Sequence, residues 1–106
     1  MGKRENKAAL SQEELLSGKI NARVIDEENG YQQLEEVRAI RINSSDYRLL
    51  ILGDFADTLG RVEGDVTFIL ADREVALEHI RGYYKHQHNE FTLLIQEDKD
   101  GWYEKL

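Results

Sequence analysis

Residues 47–70 read YRLLILGDFADTLGRVEGDVTFIL, and they limit the fold more than any other stretch. Two nearly unbroken apolar runs, at 49–52 and 66–70, are joined by a loop carrying Gly53, Gly60 and Gly64. Turn formers flank both runs. Strands packed on both faces have this pattern, and a buried helical turn can give it too. The two runs are expected to be the central strands of a β domain with an irregular link between them.

A chain of 106 residues is one domain, large enough for a single core without covalent staples. Its β-branched and aromatic residues cluster in short runs bounded by Gly, Asn and Asp, so strands should outnumber helices. The absence of cysteine excludes disulfides, thiolate chemistry and Cys-based zinc sites, and it fits a reducing cytoplasm. No apolar run approaches the roughly 18 residues of a membrane span, and MGKRENKAAL lacks the apolar core of a signal peptide. The net charge of −7 arises after residue 18, because Lys3, Arg4 and Lys7 offset Glu5, Glu13 and Glu14. So acidic a domain repels phosphate backbones, which argues against nucleic acid as a partner.

Along the chain, residues 1–18 are expected to form a tail with a short helix at about 12–17. Ser11 and Glu14 make a capping box, Leu10 and Leu15 a hydrophobic staple, and Gly18 a stop. So short a helix persists only if it docks. Either it leads into the domain, or Leu10, Leu15 and Leu16 offer a partner-binding face. Residues 19–97 make up the β domain. Ile20, Ala22 and Val24 alternate with polar residues as in a half-buried strand, and 26–30 is a turn. Residues 31–43 are ambiguous, since Gln-Gln-Leu-Glu-Glu-Val favours helix by propensity. One extended segment over about 34–42 is the preferred reading, followed by a turn at 43–46. Residues 71–74 read as a hairpin turn leading to Val75, Leu77 and His79 on one face. Gly82 interrupts, and 83–86 and 91–96 flank a second hairpin at 88–90. The tail 98–106 holds Trp102 and Tyr103, an aromatic pair able to tuck back onto the domain. About seven short strands with regular turns predict a mainly β fold, a small antiparallel sandwich or a barrel.

Three groupings could carry chemistry. His86 and His88, two apart on a strand, would share a face and present two nitrogens to a metal, with His79 as a third. No acidic or Cys motif supports them, and exposed polar positions explain them better. Asp54 and Asp57 could be an acid/base pair, but nothing marks the closed cleft that raises one carboxyl pKa. Loop aspartates bonded to local backbone are the simpler account. Tyr83, Tyr84, Lys85 and His86 mix aromatic and basic residues as single-strand binders do. In an acidic domain, a strand with one tyrosine inward and one outward is preferred. No phosphate loop, nucleophile elbow or dinucleotide fingerprint occurs. The residues point to no enzyme, metal or cofactor.

The segment Leu50-Ile51-Leu52-Gly53-Asp54-Phe55-Ala56, followed by Arg61-Val62-Glu63-Gly64-Asp65-Val66-Thr67-Phe68, resembles a pattern of the epsilon subunit of F-type ATP synthases. That family's N-terminal β-sandwich carries I-L-P-G-H-x-P and then L-K-x-G-x-h-x-h, where h is apolar. Its later Gly-Gly-Phe pattern is matched by Ile80-Arg81-Gly82-Tyr83-Tyr84-Lys85-His86 and then Phe91-Thr92-Leu93-Leu94. The likeness runs in order from Lys19 to Glu97. It departs in lacking the loop prolines, in placing Asp54 at the family's histidine, and in placing Arg81 at the first glycine of the pair. The family's C-terminal helical hairpin has no counterpart after Glu97. The resemblance implies a non-enzymatic, protein-binding sandwich, with ATP synthase subunits as candidate partners. Gly53, Asp54, Phe55 and Asp57 would lie in its contact surface, with an exposed Phe55 as anchor. The alternative is a stand-alone cytoplasmic domain that reuses the fold for a different protein.

Overall fold

A computed structural model describes residues 18–96. The expected N-terminal helix and the Trp102–Tyr103 pair lie outside them. Seven strands follow in order: β1 Ile20–Asp26, β2 Gly30–Val37, β3 Ala39–Ser44, β4 Arg48–Leu52, β5 Thr58–Ile69, β6 Glu74–Gln87 and β7 Glu90–Ile95. They form one sheet in the order β2-β1-β7-β6-β5-β3-β4. The fold is mainly β, as the patterning predicts. The sheet is mixed, because β1 and β7 pair in parallel while every other pair is antiparallel.

Two long strands let this single sheet face itself. The second half of β5 pairs with β3, whereas β7 pairs only with the second half of β6. Between the halves the β5–β6 register shifts, with Glu78 and His79 standing opposite Asp65. His79 adopts a left-handed φ of 58°, and its N–H donates to the Asp65 carboxylate at 3.0 Å. This bulge bends the ladder. Inward residues of all seven strands then meet in one core, with Phe68 edge-on to Phe91 at 5.9 Å and Tyr84 stacked on Phe91 at 5.7 Å. Edge strands β2 and β4 do not pair with each other, so the sheet stays open rather than closing as a barrel.

Several expectations change in detail. The run at 49–52 is not a central strand, because β4 is an edge and buries only Ile51 fully. The run at 66–70 does lie in a central strand, β5. The ambiguous 31–43 is two strands that break at Arg38, whose N–H donates to the Ile69 carbonyl at 2.8 Å. Helix propensity loses there because Leu34 and Val37 are buried on β2, opposite Ala22 and Ile20 of β1. Gly82 does not interrupt β6; it is buried within the strand, between Val62 and Ile95. The bulge also takes His79 off the face of Val75 and Leu77, and it is exposed.

Candidate functional site

The β4–β5 loop, residues 53–57, lies at the end of the sheet where the β6–β7 hairpin turns. That turn has His88 and Asn89 both at positive φ, 52° and 60°, the backbone of a type I′ hairpin. The turn holds the loop by reciprocal hydrogen bonds. The Asp54 N–H donates to Asn89 Oδ1 at 2.7 Å, and Asn89 Nδ2 donates to Asp54 Oδ1 at 3.0 Å. Lys19 Nζ closes the cluster on Asp54 Oδ2 at 2.8 Å. First the Lys19 bond and then the Asn89 bond hold the Asp54 carboxyl below the usual carboxylate range. A group so stabilised as an anion is the opposite of a general acid. Asp54 itself sits at φ 63°, a left-handed conformation that aspartate tolerates better than most side chains.

Phe55 turns inward from this frame. Its N–H donates to the Leu52 carbonyl at 3.1 Å, and its half-buried ring meets the His86 ring edge-on at 6.4 Å. The sequence suggests an exposed anchor, but the ring packs against the core. The exposed members of the loop are Asp54, Ala56 and Asp57, with Gly53 half-buried beneath the Lys19 side chain. Leu59, at the start of β5, is 75% exposed and lines a shallow depression of about 290 Å³ with Asp57, Thr58, Lys85, His86 and Gln87. Sequence reasoning missed Leu59 because β5 was begun at residue 66. Extending the alternation of Val62, Val66 and Phe68 back to residue 58 places it outward.

The three histidines do not converge. His86 faces the core, His88 sits in the turn, and His79 lies seven residues back along β6, about 20 Å at strand rise. No group of three His or carboxylate side chains able to hold a metal occurs among the described residues. His86 is fully buried, and neither ring nitrogen has a hydrogen-bond partner. Burial pushes its pKa down, and the nearby Asp57 carboxylate opposes the shift. One tyrosine lies on each face, as read from the alternation, and it is Tyr83 that points outward and Tyr84 inward.

No family model matches the chain, and no curated protein does. Among solved structures it resembles a chain in the cryo-EM structure of the Tetrahymena thermophila mitochondrial ATP synthase central stalk and c-ring. The TM-score is 0.63 at 13% identity, covering 74% of this chain and 64% of that one. At that identity the likeness is one of fold alone.

Proposed function

We propose that this chain is a non-enzymatic, cytoplasmic protein-binding β domain of the kind found at the N-terminus of ATP synthase epsilon subunits. Its contact surface is the sheet end built by the β4–β5 loop. The observation that carries the reading is the stalk-like fold, matched over 74% of the chain. The loop supports it, because Asn89 and Lys19 hold it in one conformation before any partner arrives. Preorganised loops lose less entropy on binding. Within the surface, Gly53 and Asp54 set the backbone and Phe55 fixes the loop to the core. Asp57, Ala56 and Leu59 meet the partner.

Affinity capture from native lysate with the tagged full chain, read by mass spectrometry, tests this. ATP synthase stalk or c-ring subunits are the expected catch. One unrelated protein would instead favour the second reading, a fold reassigned to another partner. Asp54 favours that reading, since it occupies the family's histidine position and is engaged internally.

A further inference from the structure

Away from the loop, one half of the sheet carries an exposed apolar row on the side opposite the core. Tyr31 of β2 stands directly across from Ile25 of β1, Ile25 from Leu94 of β7, and Leu94 from Tyr83 of β6. Their exposures are 59, 39, 45 and 47% in that order. With strands about 4.8 Å apart, the row runs about 14 Å. Single exposed apolar residues are ordinary, whereas a contiguous row across four strands marks a contact surface.

The charge beside the row is opposite in sign to that of the chain. Tyr83 is paired with Arg61 of β5 and lies two residues from Lys85 on the same face. Arg23 and Arg81 also flank the row, but they are bound to Glu90 at 3.2 Å and Glu63 at 3.0 Å. Among the described residues, Arg61 and Lys85 have no carboxylate in ion-pair range. A chain of net charge −7 thus keeps two unneutralised cations next to its exposed row.

We propose that this face docks an acidic protein segment bearing apolar side chains. The segment lies across β2, β1, β7 and β6 with carboxylates on Arg61 and Lys85. Cross-strand pairing alone explains why Tyr31 and Ile25, or Leu94 and Tyr83, are large. It does not explain the free cations beside them. Single-stranded nucleic acid fits less well, because the two tyrosines stand three strands apart and the domain is acidic overall.

The test uses the full chain and a fluorescein-labelled synthetic peptide alternating Glu and Leu, followed by anisotropy. Peptides alternating Lys and Leu, or made of Glu alone, are the controls. Saturable binding of the Glu–Leu peptide alone is expected. It should weaken about tenfold with Leu94→Ser, a loss of ~1.4 kcal/mol. It should weaken similarly with the surface pair Arg61→Gln and Lys85→Gln, and fade as salt rises. The charge pair decides the matter if Leu94→Ser disturbs folding. Equal binding of all three peptides, no binding, or binding unaffected by these variants overturns the proposal. So does tighter binding of oligo-dT. So does concentration-dependent self-association abolished by Leu94→Ser, which would assign the row to a second copy. Trp102 is the chain's single tryptophan. If its fluorescence is shielded in the free protein and Leu94→Ser removes the shielding, residues 97–106 hold the row and the proposal falls.

Discussion

Gly60 faces Tyr84 directly across the β5–β6 pair, and a Cβ at Gly60 would strike the Tyr84 ring and hydroxyl. The ring has nowhere to go. It stacks on Phe91 at 5.7 Å, and its hydroxyl meets that of Tyr47 at 2.9 Å. Since the Tyr47 hydroxyl donates to the Arg61 carbonyl at 2.6 Å, the Tyr84 proton must go to Tyr47. Gly60→Ala should therefore cost about 1–3 kcal/mol, as overpacking does, measured by denaturant unfolding. Tyr84→Phe should cost only about 1 kcal/mol, the net value of one hydrogen bond. His86 presents the opposite case, a polar ring buried without partners. Its folded pKa is lowered, so the unfolded chain binds the proton more readily. The resulting stability is complete above about pH 6.5, the unfolded histidine value, and is lost as pH falls from there through the lowered folded value. His86→Leu should flatten that acid limb of a melting-temperature profile and raise stability at neutral pH. An unchanged profile would mean that the ring is hydrated in solution. Phe55→Ala should cost about 1–2 kcal/mol, below the roughly 3–5 of a fully buried phenylalanine, because this ring is half-buried.

The strands show which parts of the fold could be read in advance. β1 was legible because Ile20, Ala22 and Val24 alternate without a break, and the 26–30 turn because of Asn29–Gly30, where Gly30 does take a positive φ of 84°; Asp26 further accepts from the Glu28 N–H and Asn29 Nδ2, both at 2.9 Å. β6 was split because the bulge at His79 reverses the phase of the alternation, and Gly82 then looks like a terminus. No local signal marks β4 as an edge or joins β1 to β7, since both depend on partners far along the chain. In the candidate site, the loop could be located but its clamp could not. Asn89 lies 35 residues from Asp54, and only the fold brings them together. Asn89→Gly keeps the positive φ of the hairpin turn and removes both side-chain bonds. It should leave the unfolding stability within about 1 kcal/mol of the parent while speeding amide exchange across 53–57. Unchanged exchange would show that the clamp does not order the loop.

Across the whole molecule, the bulged strands fold one sheet around one core and leave two surfaces that adjoin at Lys85, which is paired with Leu59. One is the sheet end with Ala56, Asp57 and Leu59; the other is the outer row from Tyr31 to Tyr83. The first has the stronger claim to function, since it combines a fixed loop with Leu59, the most exposed large apolar side chain among the described residues. The most direct measurement is quantitative affinity capture from native lysate, with the parent chain beside an Ala56→Glu, Leu59→Glu variant. Both altered side chains are exposed, so the two proteins should melt alike. The account predicts that the parent retains ATP synthase stalk or c-ring subunits and that the variant loses them at least tenfold, about 1.4 kcal/mol. Equal capture by both proteins, or none by either, would contradict it.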